Sequence, residues 1–145
     1  MRKTVTVLMA TCALLAAAAG VRTVLYAQGG STSAGVYTDA QAKRGAGLYK
    51  DQCASCHGDD LRGNDIIPGL VGQTFTGNWR GKSLGDLYDK IQMTMPALSP
   101  GSLTPEQTAD LIAEILSVSK YPAGNTDLVS KAEALQQIKI DEPKN

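Results

Sequence analysis

The chain has 145 residues, a length typical of a single domain. Its 14 Lys and Arg residues balance 14 Asp and Glu residues, so no basic field indicates a nucleic-acid partner. The sequence contains three Cys, one His and four Met, and these few residues restrict the chemistry of a functional site more than the average composition does.

The N-terminus has the pattern of a secretory signal peptide. Arg2 and Lys3 precede an apolar run over residues 5–20, and Ala27 supplies the small residue that cleavage needs. We therefore predict a signal peptide over residues 1–27 and an exported, periplasmic protein. The alternative is an uncleaved leader that anchors the protein in a membrane, because the apolar run is near the lower length limit for a span.

Three further segments follow the leader. Residues 28–37 are rich in Gly and Ser, which predicts a flexible linker. Residues 38–124 carry the strongest helix signals and form the predicted domain. Residues 125–145 are predicted to be a C-terminal extension, with a weaker helix between Leu128 and Ile138.

The predicted domain is all-α. Thr38 with Gln41, and Thr104 with Gln107, have the spacing of capping boxes at helix N-termini. The interval from Gly58 to Gly81 shows no strand alternation and is interpreted as glycine-rich loop. Three helices are predicted. The first runs from Thr38 to about Gln52, the second begins at Ser83, and the third runs from Thr104 to about Val118.

Residues 53–57 read Cys-Ala-Ser-Cys-His, the C-x-x-C-H signature of covalent haem attachment. Each thiol adds to a haem vinyl group and forms a thioether, and the adjacent His57 then has a short reach to the iron. The motif therefore predicts one haem c bound through Cys53 and Cys56, with His57 as an iron ligand. The predicted export agrees with this, because bacteria attach haem covalently outside the cytoplasm.

Three other interpretations of the motif fit less well. A thioredoxin-type pair usually follows a strand and opens a helix, whereas this motif follows a predicted helix and leads into loops. A structural zinc site usually needs four Cys or His ligands, and the chain after the leader offers three. A plain disulfide would leave His57 without a role.

A methionine is the predicted second iron ligand. The sequence contains a single His, which excludes a second histidine ligand from the same chain. A Met thioether paired with His raises the potential of a haem iron, and the chain beyond the leader contains Met93 and Met95. Pro96 restricts the backbone of Met95 to an extended form, so Met95 is preferred. Met93, a Lys ligand and an open iron site are the alternatives.

Residues 38–124 resemble a single-haem class I cytochrome c. Besides the haem motif, the resemblance rests on Gly45 and Tyr49 before it, Pro68-Gly-Leu-Val-Gly72 after it, the Met95-Pro96 pair and the capped last helix. It implies three to five helices with long Gly-rich loops wrapped around one covalent haem. It also implies that the first and last helices cross, with Gly45 permitting their close approach and Tyr49 packing at the crossing.

The same resemblance implies roles for three other residues. The carbonyl of Pro68 would accept a hydrogen bond from the His57 ring, which fixes the ring and raises its basicity. Trp79 and Arg80 would bond the haem propionates. The alternatives are that Pro68 only ends a loop, that Trp79 packs in the core, that Arg80 is solvated, and that Gly45 is only a tolerated helix glycine.

The predicted function is one-electron transfer. A narrower similarity, to small exported cytochromes that accompany quinoprotein dehydrogenases, rests on residues 75–88, 94–96 and 121–124. It implies a quinoprotein dehydrogenase as electron donor and an oxidase or another cytochrome as acceptor. The alternatives are a haem enzyme or sensor with an open iron site, and a haem subunit fixed to a larger dehydrogenase or oxidase.

Overall fold

The computed structural model describes residues 30–143, and the predicted signal peptide lies outside the described residues. These residues form a mostly helical unit, as predicted, with one two-residue parallel strand pair. Within them, no helix is both long and apolar enough to cross a bilayer. The elements are β1 (Gly30–Ser31), a 3-10 turn (Thr32–Ala34), α1 (Asp39–Gln52), α2 (Ala54–His57), α3 (Gly72–Trp79), α4 (Leu84–Thr94), α5 (Pro105–Val118), α6 (Ala132–Leu135) and β2 (Ile138–Lys139).

Helices α1 and α5 pack directly against each other, and a glycine permits it. A Cβ atom added to Gly45 would lie 2.0 Å from the carbonyl oxygen of Asp110, far inside any allowed contact. Tyr49, one turn further along α1, is buried, and its hydroxyl donates to the Gly58 carbonyl at 2.7 Å. The close approach expected at Gly45 is therefore confirmed.

The predicted capping box on α1 is half right. The Thr38 hydroxyl accepts from the Gln41 amide at 3.1 Å, which caps the helix. The Gln41 side chain does not return to Thr38. It is buried and bonds both backbone groups of Leu128, donating to the carbonyl at 3.0 Å and accepting from the amide at 2.6 Å. The Gln41 side chain therefore bonds a distant segment and does not complete the capping box that its spacing from Thr38 predicted.

Helices α4 and α5 begin where their capping residues predict. Ser83 caps α4, and Asp86 completes a capping box that was not predicted. Thr104 caps α5, Pro105 takes its first position and Gln107 completes the predicted box. The apolar faces of both helices are buried; they comprise Leu84, Leu87, Tyr88 and Ile91 of α4, and Leu111, Ile112, Ile115 and Leu116 of α5.

The glycine-rich interval between Gly58 and Gly81 is not loop throughout, because it contains α3. This helix lacks a side-chain cap, since Val71 precedes it, and Phe75 is its one buried residue. Its local signals are therefore weak. The packing of Phe75, which is 1% exposed, stabilises the helix through tertiary contacts instead.

The prediction of a flexible linker is wrong from Gly30 onward. Strand β1 pairs in parallel with β2, the Gly30 amide donates to Gln137 at 3.1 Å, and Thr32 is fully buried. A Gly- and Ser-rich composition indicates backbone flexibility only where the segment has no partner to pair with. Here the C-terminal extension supplies the partner strand, so both segments belong to one folded unit.

The extension is also less helical than predicted. Of residues 128–138, helix α6 covers Ala132–Leu135 alone. Pairing of β2 with β1 draws the end of this segment into an extended form. The apolar side chains of the extension are buried against the domain; they are Leu128, Leu135, Ile138 and Ile140.

An exposed carboxylate fastens the extension to α1. The Thr38 hydroxyl donates to Asp127, and the Arg44 guanidinium lies 2.8 Å from the same carboxylate. These hydrogen bonds, that of Thr38 first, hold the pKa of Asp127 below its ordinary value of 3.8. A lowered pKa means that the folded state favours the ionised form, so this contribution to stability is present above pH 4 and is lost as the pH falls further.

Asp127→Asn should therefore reduce the loss of stability that wild type shows as the pH falls below about 4. We expect the variant to be slightly less stable than wild type at pH 6 and to differ from it less at pH 3. The effect is small because the pair is exposed and screened by solvent. Urea midpoints of both haem-loaded proteins at the two pH values measure it, and an equal difference at both would contradict the assignment.

Candidate haem-binding site

The haem motif lies at the junction of two helices. Helix α1 ends at Gln52, Cys53 separates it from α2, and α2 contains Cys56 and His57. The short helix is closed by backbone bonds, including His57 N–H to Cys53 O at 3.0 Å. This turn brings both thiols and the imidazole to the wall of a single cavity.

The His57 ring is oriented by its neighbouring loop. Its Nδ1 atom lies 2.9 Å from the carbonyl oxygen of Pro68. A carbonyl only accepts, so Nδ1 carries a proton, and in the neutral imidazole the free lone pair is then on Nε2. The hydrogen bond that the resemblance implied is present, and it selects the tautomer in which Nε2 can bind a metal.

The loop that carries Pro68 is itself tightly constrained. The Asn64 side chain accepts from the amides of Ile66 and Ile67, each at 2.9 Å. Gly63 has a positive φ of 67°, and a Cβ atom there would lie 2.1 Å from the Ile67 carbonyl oxygen. The loop can close over His57 only because position 63 has no side chain.

The cavity has a volume of about 540 Å³ and an apolar lining, within the range of small-molecule and cofactor sites. Among the described residues around it, Lys82 and Lys90 are the lining side chains with a fixed charge. Two thiols, an imidazole, a thioether and apolar walls are the donors and surfaces that a covalent haem requires. The apolar side chains include Leu70, Leu87, Ile91, Leu103, Leu111 and Ile115.

The two candidate methionines differ in position. Met95 follows the last residue of α4, is half-buried and lines the cavity. Met93 is 65% exposed and is not part of the lining. The structure therefore places Met95, and not Met93, in the same cavity as His57.

Trp79 and Arg80 are separated although they are adjacent in sequence. Trp79 lines the cavity, whereas Arg80 is absent from the lining and pairs with Glu142 of the C-terminal extension. Lys82 lies at the cavity instead, with its ammonium 4.9 Å from the centre of the Trp79 ring, in cation-π range. Sequence reasoning missed Lys82, because only a turn between Trp79 and Lys82 brings it there.

Burial keeps two side chains of the site in their neutral forms. It raises the pKa of the Cys53 thiol to about 11 and that of the Tyr49 hydroxyl to about 12. An ordinary thiol is already mostly protonated at neutral pH, and burial strengthens this preference of Cys53 for the neutral form. The Tyr49 hydroxyl likewise keeps the proton that it donates to Gly58.

The chain is similar to cytochrome subunits of two larger oxidoreductases. It is 35% identical over 105 residues to the fructose dehydrogenase cytochrome subunit of Gluconobacter japonicus, across 66% of this chain and 22% of that protein. It is 30% identical over 113 residues to the cbb3-type cytochrome c oxidase subunit CcoP of Rhodobacter capsulatus, across 67% of this chain and 35% of that protein. The chain thus spans only about a fifth to a third of the length of these relatives.

A solved structure, the sulfane dehydrogenase SoxCD of Paracoccus pantotrophus, is 28% identical, with a TM-score of 0.49 over 71% of this chain and 53% of the other. A family model described as cytochrome c oxidase, cbb3-type, subunit III matches residues 40–113, just over half of the 145 residues. This match includes the haem motif and Met95. The chain therefore belongs to this family of cytochrome c domains, which transfer electrons through a covalently bound haem c.

Proposed function

We propose that this protein is a one-electron carrier whose haem is attached through Cys53 and Cys56 and whose iron is bound by His57 and Met95. The observation that carries the proposal is the cavity that holds all four side chains, with Nδ1 of His57 already committed to Pro68. The haem, when bound, supplies an iron that cycles between the ferric and ferrous states. No substrate needs to bind for this function.

The residues around the cavity orient the histidine ligand, exclude water and supply positive charge. The Pro68 carbonyl holds the imidazole in one tautomer and orientation, so that the ligand does not reorganise when the charge of the iron changes. The apolar walls exclude water and help to set the reduction potential. Lys82, held at Trp79, and Lys90 are the lining cations that would pair with the anionic haem propionates, whereas Arg80 is paired with Glu142.

The proposed physiological partners are redox proteins. The relatives are cytochrome subunits of a dehydrogenase and of an oxidase, which supports a dehydrogenase as electron donor and an oxidase or another cytochrome as acceptor. The signal-like leader supports a periplasmic location; the protein would be free after cleavage of the leader or anchored without it.

A second candidate function is a haem subunit held permanently in a dehydrogenase or oxidase complex. Both relatives are subunits of such complexes, which favours this candidate. Co-purification of the tagged full-length protein with stoichiometric partners would select this second candidate.

A spectroelectrochemical titration tests the carrier against an open-site enzyme. We expect a reversible Nernst curve for one electron, no turnover of hydrogen peroxide and weak binding of imidazole to the ferric protein, because Met95 would already be bound to the iron. Fast peroxide turnover, or tight imidazole binding by the wild-type protein, would contradict the proposal and favour the open-site alternative.

A further inference from the structure

A half-buried hydrogen-bond network joins the helix before Met95 to the far end of the loop that begins at Met95. On α4, the side-chain amide of Gln92 donates to the Leu103 carbonyl at 2.7 Å. Its carbonyl oxygen accepts from the Thr108 hydroxyl of α5 at 2.8 Å, and Thr108 is fully buried. Gln92, which lies three residues before Met95, thus connects α4 to α5 and to the far end of the loop at Leu103.

The rest of this loop has little to hold it to the fold. At its start, the Met95 N–H donates to Ile91 O of α4 at 2.9 Å. Beyond Met95, the backbone bonds of the loop, Ser99 N–H to Pro96 O at 2.9 Å and Ser102 N–H to Ser99 O at 3.3 Å, are internal turns. Leu98 at the tip is 98% exposed. Among residues 30–143, Gln92 makes the only side-chain hydrogen bond from α4 to the far end of the loop. Few buried contacts and exposed backbone bonds are features of segments that open locally.

The orientation of the Gln92 amide is determined by its neighbours. The Leu103 carbonyl can only accept, so the amide nitrogen must face it, and the oxygen then faces the Thr108 hydroxyl. Leu103, whose carbonyl is held in this way, is itself buried and lines the cavity. The network therefore fixes one wall of the cavity as well as the end of the loop.

We propose that Gln92 is a positioning residue for Met95. By fastening Leu103 to α4, its side chain closes the loop and keeps the Met95 thioether at the cavity. Loss of the hydrogen bond would allow the loop to swing away and free the sixth position of the iron. This inference rests on the proposed ligation by Met95.

Gln92→Leu tests the inference in the haem-loaded, full-length protein, since leucine removes the amide at similar volume. In the ferric variant we expect the near-infrared methionine-to-iron band to disappear on heating well before global unfolding. We also expect imidazole to bind at least tenfold more tightly than to wild type. Gln92→Glu, whose carboxylate cannot donate to Leu103 at neutral pH, should show the same two changes.

Gln41→Leu is the matched control. Gln41 is also a glutamine that fastens a distant backbone segment, Leu128, to a helix, but it does not line the cavity. Its replacement should lower the unfolding temperature at least as much as Gln92→Leu does, with the band and the imidazole affinity unchanged relative to the folded protein. The control separates a general loss of stability from a loss of ligand positioning.

The possible results distinguish this inference from the proposed function. If wild type has the near-infrared band and Gln92→Leu retains it to the unfolding temperature with unchanged imidazole affinity, the inference is wrong and Met95 ligation stands. If wild type lacks the band, the ligation itself is wrong and the inference falls with it. Should Gln92→Leu fail to fold, Thr108→Val removes the hydroxyl that donates to Gln92. This variant must then produce both changes to a smaller degree, and wild-type behaviour would overturn the inference.

Discussion

Met95→Ala is expected to remove the sixth iron ligand and to convert the ferric haem from low spin to high spin. The near-infrared methionine-to-iron band should vanish, and imidazole or cyanide should bind readily at the vacated position. The reduction potential should fall by about 0.1–0.3 V, a fraction of the roughly 0.8 V over which axial ligands set haem potentials. The physical reason is that a thioether stabilises ferrous iron, so its replacement by water or a harder ligand favours the ferric state.

Met93→Ala is the matched control for this experiment. Met93 lies two residues earlier, is 65% exposed and does not line the cavity. We expect its spectrum, imidazole affinity and potential to match those of wild type. Loss of the band in Met93→Ala, or its persistence in Met95→Ala, would show that the ligand assignment is wrong. Absorption spectroscopy and potentiometric titration of the three proteins measure these outcomes.

Gly45→Ala is expected to destabilise the fold by about 3 kcal/mol, at the upper end of the range for overpacking a tight contact. The added methyl would lie 2.0 Å from the Asp110 carbonyl oxygen. That oxygen belongs to the backbone of α5 and cannot rotate away as a side chain would. Helices α1 and α5 would therefore have to move apart, and their separation would disturb the buried Tyr49 next to the haem motif.

Gly47→Ala separates this steric effect from helix propensity. Gly47 is on the same helix, exposed, and an added Cβ atom would meet no atom within 4 Å. Alanine there should stabilise the protein by up to about 1 kcal/mol through its higher helix propensity. Denaturant unfolding of the haem-loaded proteins gives both values. Equal effects of the two substitutions would contradict the crossing geometry.

Features that depend on residues close in sequence could be predicted. Thr104, Pro105 and Gln107 lie within one turn of each other, and they fix the start of α5 by local hydrogen bonds and a preset φ angle. The haem motif is equally local, because both thiols and His57 fall within five residues. Helix α3 shows the opposite case. It has no cap and a single buried residue, so its stability comes from packing that sequence patterns do not show.

Features that depend on distant pairing were mispredicted or missed. Gln41 had the right spacing for a capping box, but a backbone segment 87 residues away took its side chain. The Gly- and Ser-rich segment that was predicted to be a flexible linker is ordered from Gly30 onward because β2 pairs with β1. Sequence reasoning missed the ion pair of Arg80 with Glu142, and the expected bond of Arg80 to the haem propionates stays a prediction. In each case the deciding partner lies in the C-terminal extension, which sequence reasoning treated as an appendage.

The absorption spectrum of the purified full-length protein, oxidised and then reduced, tests the central claim most directly. We predict a low-spin c-type spectrum whose oxidised form shows the weak near-infrared band of methionine bound to ferric iron. That result would establish His57 and Met95 as ligands of an electron carrier, given the single His of the chain and the exposure of Met93. A high-spin spectrum without the band would contradict the account and indicate an open iron site.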